Sequence, residues 1–342
     1  MLSGKQFTIA KILLKEGLLH GSPNFITFTR LGGGVSSDIF LVTDGMQKLV
    51  VKQALRKLRV KDDWYADIGR NRSEYYYLKY VSGIDQNVVP KVLYYNQEKE
   101  FFVMEYLAGF STWKSELMAK KISKEYAKKA GEILGNIHRL SWNNIELLQQ
   151  FDTTKLFIQL RVDPYLYTTG KRIPKLYPLF EHEGQRLIAN RKCLVHGDYS
   201  PKNLLVKDGK LVIIDCEVAW YGDPTFDIAF LLNHLFLKAV YNNDIADKYM
   251  NLANIFWESY ANAVEENQIY EIERYIGRLL LMLMLARIKG KSPVEYLNDK
   301  RKKSLVKSFV MMHINEDLSI DPVKKLSNDW KEYIFKHYAE SC

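Results

Sequence analysis

Two short apolar runs, Leu204-Leu205-Val206 and Leu211-Val212-Ile213-Ile214, flank an Asp208-Gly209 pair. An Asp-Gly between alternating apolar segments is a strong short-range hairpin signal, because both central residues must adopt positive φ. A two-residue turn fixes the strand register, so whatever precedes Leu204 is forced beside whatever comes after Ile214. The flanking segments are His196-Gly197-Asp198-Tyr199-Ser200-Pro201-Lys202-Asn203 on one side and Asp215-Cys216-Glu217 on the other. Asn203 and Asp215 therefore sit at adjacent strand ends, where both can reach one metal ion. Nearby acidic residues are common on solvated surfaces, but these adjoin strongly apolar strands, which favours a site.

An Asp, an Asn five positions later and a second Asp beyond a hairpin are the acceptors that phosphoryl transfer from a magnesium nucleotide requires. In that chemistry one carboxylate orients the attacking hydroxyl while another carboxylate and an amide oxygen hold the metal. Asp198 is the candidate for the first task, and Asn203 and Asp215 for the second.

Upstream, Ile26 to Thr29 and Ile39 to Val42 read as strands around Leu31-Gly32-Gly33-Gly34-Val35-Ser36-Ser37. Gly33 and Gly34 could let backbone amides approach phosphates closely, with Ser36 and Ser37 adding hydroxyl donors; such a stretch is equally compatible with a simple turn. Asp44-Gly45 turns the chain into Lys48 to Lys52, an apolar strand ending in Lys52, a candidate phosphate lysine rather than only a solvated strand end. Its expected partner is Glu74, within the helix-compatible Arg70 to Val81 and the only Glu between Lys52 and Asp85. Strands over Val92 to Tyr95 and Phe101 to Tyr106 lead into Glu105-Tyr106-Leu107, whose backbone would read an adenine edge from an extended connector; Met104 reads as core.

After Gly109 the pattern changes from β-rich to helical, giving a domain division into residues 1–107 and 108–342 with a hinge at about 104–109. Ser123 could cap a helix to about Arg139, and His138 at its end reads as structural. Phe151 to Arg191 is aromatic and turn-rich; Arg161 and Asp163 on this irregular segment could line an acceptor pocket or simply cover a lobe. Asp223 and Asp227 bracket the start of an apolar helix over Ile228 to Val240, a structural placement.

The 342 residues are 47% hydrophobic and 13% aromatic, enough for a sizeable core. The net charge of +9 is dispersed, and no basic run interleaved with aromatics marks a nucleic-acid groove. Cys193, Cys216 and Cys342 form no CxxC pair and are too few for a disulfide framework, so a reducing cytoplasm is expected. The longest apolar run, Leu279 to Ala286, is too short for a bilayer.

These motifs, in this order from about residue 26 to 240, resemble the kinase-like small-molecule phosphotransferase family of aminoglycoside phosphotransferases, choline kinases and methylthioribose kinases. The resemblance rests on the Gly-rich turn, Val51-Lys52, Met104 to Leu107, His196 to Asn203, Ile214 to Glu217 and Gly222 to Ala229. It implies an α+β, two-lobed, protein-kinase-like fold with a small β-rich N-lobe and a larger helical C-lobe. It also implies ATP or GTP as donor, Mg2+, and a hydroxyl on a small molecule as acceptor. By motif position it assigns Asp198 as catalytic base, Asn203 and Asp215 as metal ligands, Lys52 as phosphate lysine and Glu74 as its partner. Glu217 falls where methylthioribose kinases carry a second acidic metal-site residue. Gly197 stands where protein kinases carry Arg, and no Ala-Pro-Glu segment comes after Asp227, which argues against a protein substrate. The expectation is a kinase for a metabolic sugar or amino alcohol, monomeric or homodimeric, without nucleic-acid or membrane partners. The alternatives are an aminoglycoside-modifying kinase and a catalytically silent nucleotide-binding regulator.

Overall fold

Short β-branched and aromatic runs in the first hundred residues form one antiparallel sheet, and longer segments with helical apolar spacing dominate the rest. The computed structural model describes residues 2–32, 37–55 and 69–339. The expectations placed on Gly33, Gly34 and Ser36 lie outside the described residues. The chain divides into two compact units, Met1–Gly109 and Phe110–Cys342.

The first unit begins with helix α1 (Gly4–Lys15), opened by a capping box in which the Ser3 hydroxyl and the Gln6 side chain each accept the other's backbone N–H. Strands β1 (Thr27–Arg30), β2 (Ser37–Thr43) and β3 (Lys48–Ala54) precede helix α2 (Arg70–Ile84), and β4 (Val92–Asn96) and β5 (Phe101–Glu105) come after it. The sheet order is β1-β2-β3-β5-β4, antiparallel throughout. Ile9, Ala10 and Leu13 of α1 share a core with Leu49, Val51, Phe101 and Val103 of the sheet. Alternation then sends Lys52, paired with Phe102, to the opposite face from Val51.

The second unit is mostly helical. It opens with β6 (Ser111–Thr112), α3 (Trp113–Met118), α4 (Lys124–Leu140), α5 (Ile145–Gln150) and α6 (Thr154–Phe157). A wide π-helix then spans Ile158–Tyr167, succeeded by α7 (Thr168–Arg172) and α8 (Tyr177–Ala189). The segment from Phe151 to Arg191, expected to be irregular, is thus largely helical. Pro164 lies inside the π-helix, where the wider i→i+5 turn places the carbonyls differently from the i−4 position with which a proline ring clashes.

Short strands hold the remaining loops in place. Strand β7 (Cys193–Val195) leads into the 196–203 loop, the hairpin β8 (Leu204–Lys207) and β9 (Lys210–Ile213), the 214–219 loop, and β10 (Trp220–Gly222), which returns to pair antiparallel with β7. Each loop therefore connects the same two small sheets, and the antiparallel pairings bring the loops together. Asp208 and Gly209 adopt φ of 47° and 74° at the hairpin tip, giving the register Leu204↔Ile213. Helix α9 (Thr225–Tyr241) runs through the core with every residue from Thr225 to Val240 buried. Around it lie α10 (Ala246–Ala263), α11 (Glu266–Lys289), α12 (Lys300–His313) and α13 (Pro322–Ala339). The chain is thus α+β, with a β-rich amino-terminal part and a helical remainder. Among the described residues no helix is long and apolar enough to cross a membrane.

Candidate active site

In the first unit, Lys52 Nζ lies 2.6 Å from Glu74 Oε2, and both side chains are almost completely buried. Strand alternation points Lys52 away from the α1 face, and α2 supplies the carboxylate. An ion pair taken so far out of water persists only with close geometry, since each unpaired partner would carry a heavy desolvation penalty. Ser37 opens β2 opposite Ala54 and is buried, a strand position rather than a turn. Glu105 ends β5, where its carboxylate accepts the N–H of Lys91 at 2.8 Å, while Tyr106 and Leu107 continue half-buried toward the unit boundary.

In the second unit the 196–203 loop is held from several sides. Asp227, at the start of α9, accepts the backbone N–H groups of His196 at 2.6 Å and Gly197 at 2.9 Å. The His196 ring then bridges the two loops: Nδ1 accepts the N–H of Asp198 at 3.1 Å, and Nε2 lies 3.1 Å from the carbonyl oxygen of Ile214. A backbone N–H can only donate, so Nδ1 is unprotonated and Nε2 carries the proton. Burial holds this imidazole below its usual pKa, outweighing the Asp227 and Asp198 carboxylates. Gly197 adopts φ of 75°, and a Cβ there would meet the Val218 carbonyl oxygen at 2.5 Å, so the position is closed to any larger residue.

Asp198 is 6% exposed. Lys202 Nζ lies 2.9 Å and Arg161 Nη2 3.2 Å from the same carboxylate oxygen, Oδ2. Burial pushes the carboxyl pKa up, but these two cations more than offset it and hold Asp198 below its ordinary range. Arg161 also donates from Nε to the Gly197 carbonyl and from Nη1 to that of Leu160 at 2.7 Å, clamping the loop to the π-helix. Asp163, two positions on, does not join it; a residue pair at that spacing does not face the same side of a helix, and its charge acts instead on Tyr167 beside Glu181.

The Asn203 amide donates to the Asp198 carbonyl at 3.0 Å, which fixes its side-chain oxygen on the opposite side. The hairpin register continues one step beyond the strands, with the Ile214 N–H on the Asn203 carbonyl at 3.0 Å. Asp215 comes next in the left-handed region at φ 62°, a conformation that Asp tolerates better than most residues. Carboxylate oxygens of Asp215 and Glu217 lie within 4.8 Å of one another. With the Asn203 oxygen these are hard donors of the kind that could hold magnesium.

Two contributors have no role at the level of sequence. Lys202 lies inside the recognised motif, and its i,i+4 spacing from Asp198 is the signal that could have found it. Asp227 reads in sequence only as an acid at its own helix end, yet it braces the loop from thirty residues away.

Known proteins share this arrangement of elements. The chain is 24% identical over 244 residues to a methylthioribose kinase of Yersinia enterocolitica, covering 62% of this chain and 60% of that protein. A methylthioribose kinase of Pectobacterium atrosepticum gives the same identity and the same coverage. The chain thus aligns with about 60% of the length of these curated relatives. Among solved structures, Plasmodium vivax ethanolamine kinase superposes with a TM-score of 0.52 at 15% identity, covering 100% of this chain and 95% of that one. The streptomycin–ATP ternary complex of APH(2")-IIa gives 0.50 at 17% identity, covering 91% and 97%. These likenesses show the protein-kinase-like fold. The pattern of the phosphotransferase enzyme family (APH) matches residues 27–253, and the chain belongs to that family.

Proposed function

We propose that the protein transfers the γ-phosphoryl group of ATP to a hydroxyl of a small molecule. The observation that carries this reading is the arrangement around Asp198: a buried, ionised carboxylate on a braced loop, adjoining an oriented Asn203 and the Asp215–Glu217 carboxylate pair. In the reaction the acceptor oxygen bonds to the γ-phosphorus as the bond to the β–γ bridging oxygen breaks, and the hydroxyl proton passes to Asp198. A carboxylate neutralised by two cations is a weak base, which suits a loose transition state where orientation matters more than early proton removal. Asn203, Asp215 and Glu217 would hold Mg2+, whose charge neutralises the phosphates when bound. Lys52, oriented by Glu74, would pair nucleotide phosphates, and Glu105 to Leu107 would contact the base. ATP is favoured over GTP as donor because a solved neighbour of this fold is an ATP complex.

The relatives named as methylthioribose kinases support a sugar-like acceptor. A silent nucleotide-binding regulator would have no need of a braced, ionised carboxylate at Asp198. Incubating the protein with magnesium ATP and a panel of metabolite alcohols should give acceptor-dependent ADP release. Asp198→Ala should lower that rate by about two to four orders of magnitude. Full turnover by this variant would refute the assignment.

A further inference from the structure

A group of cations in the second unit is not used by the chemistry above. Phe230, His234 and Lys238 recur every four residues along α9 and so share one face of that helix. The π-helix packs on the same face: the Tyr165 ring lies 5.5 Å from that of Phe230, and the Arg161 guanidinium stands 5.9 Å from the Phe230 ring. The Phe230 and His234 rings are 5.4 Å apart. Arg287 of α11 closes the group, donating to the Tyr165 hydroxyl at 3.1 Å. Arg161 and Lys202 connect it directly to Asp198.

The positive charge of this group is met mainly by neutral acceptors, Arg287 Nη1 also donating to the Ser292 hydroxyl at 2.9 Å. Lys238 is completely buried; its described contacts are the Tyr296 ring, 5.0 Å from the amine, and its own helix carbonyl at His234, 3.5 Å away. Arg287 Nε is buried and unpartnered among the described residues. The acids within the group are Asp198, held by Lys202 and Arg161, and Glu295, held by Lys114. Burial first, then the charges of Lys238, Arg287, Lys202 and Lys114, keep His234 well below its usual pKa. Burial also pushes Lys238 down to about 7, with Lys114 and Arg287 adding to the effect and Glu295 opposing it. A buried amine met by an aromatic ring and one long carbonyl contact destabilises the fold, so its presence points to a ligand whose charge compensates it. The group reaches solvent at Lys202 and Lys114, whose side chains are 50% and 33% exposed.

Resting on the phosphoryl-transfer reading, we infer that the acceptor carries an anionic group, a phosphate or a carboxylate, which seats against Lys202, His234 and Arg287 while its hydroxyl faces Asp198. Lys238 and Lys114 reinforce the positive potential around that seat. A polycationic aminoglycoside or a protonated amino alcohol meets repulsion at the same place, which narrows the acceptor to a sugar or polyol acid or phosphate.

The test uses the full-length protein with saturating magnesium ATP and polyols supplied as matched sets: the neutral parent, its monophosphate, its carboxylate and its amine. The anionic members should exceed the neutral and amine members in kcat/KM by at least about tenfold, and the phosphate and carboxylate arms identify which anion is preferred. Equal or better turnover of neutral or amine members overturns the inference while leaving phosphoryl transfer intact. Calorimetric titration with inorganic phosphate, with the nucleotide site filled by a nonhydrolysable magnesium nucleotide, gives an independent measure. Wild type should bind, and Lys238→Met and Arg287→Gln should each weaken binding by about tenfold or more. Absence of phosphate binding, or variants that bind as wild type does, overturns the cation seat. Phosphate binding without ADP release from any member instead overturns the phosphoryl-transfer reading, and the acceptor assignment falls with it.

Discussion

His196 and Asp198 are joined through the ring of the first and the backbone of the second, Nδ1 accepting the Asp198 N–H at 3.1 Å. Because Nε2 simultaneously reaches the Ile214 carbonyl, one neutral imidazole ties the 196–203 loop to the segment that carries Asp215 and Glu217. Loop geometry thus depends on a protonation state.

His196 and His234 both have pKa values below 6.5 in the folded protein, burial being the main cause. The unfolded chain therefore binds more protons as pH falls, so these groups contribute stability that is complete above about 6.5 and lost below it. Urea midpoints measured from pH 8 to pH 5 should fall, and His196→Gln should flatten the curve. A wild-type profile independent of pH over that range would contradict the buried neutral histidines.

Removing the amine of Lys238 should stabilise the protein. The unfolded lysine stays charged to about pH 10.5, whereas the folded one titrates near 7, so wild-type stability should rise with pH between those values. Lys238→Met should raise stability at pH 7 by about 1–4 kcal/mol, and the gain should shrink toward pH 10. Chemical denaturation of both proteins at pH 7 and pH 9.5 measures the difference.

In the Lys52–Glu74 pair, either single substitution, Lys52→Met or Glu74→Leu, removes half of a buried ion pair and should cost about 3–5 kcal/mol. The double substitution should recover much of that stability. It should not recover nucleotide binding, measured by fluorescence of a labelled ATP analogue, if Lys52 contacts phosphates.

Asp215 sits at positive φ, a conformation that Asn adopts more readily than most residues. Asp215→Asn should keep the melting temperature close to wild type yet raise the Mg2+ concentration needed for ADP release by about tenfold or more, because one charged oxygen ligand is lost. Adding EDTA to wild type should abolish turnover and leave the fold intact. A variant with an unchanged Mg2+ requirement would remove Asp215 from the metal set.

Much of the site's location was legible because its determinants are local. The Asp208-Gly209 turn fixes the β8–β9 register, and the register alone sets Asn203 beside Ile214. The β-rich and helical parts could be separated on the change of composition after Gly109. The region from Phe151 to Arg191 misled, since Pro164 and abundant aromatics suggest irregular chain, whereas tertiary packing selects a π-helix that turns Arg161 onto Asp198 and Asp163 away. Of the stripe of Phe230, His234 and Lys238, only the apolar helix that carries it was legible. Its meaning was not, because Arg287, fifty residues later, supplies the contacts that complete it.

By itself the sequence determined which residue types stand at which strand ends, and hence that a carboxylate, an amide and a second carboxylate would be offered together. Short-range turn chemistry and strand alternation are sufficient for that. Only the tertiary structure decided how those groups are charged and braced: Asp227 on two backbone amides, His196 as a neutral bridge, Arg161 and Lys202 on Asp198, and Lys238 buried against the Tyr296 ring. Ionisation depends on burial and on charges distant in sequence, and these exist only once the helices have packed.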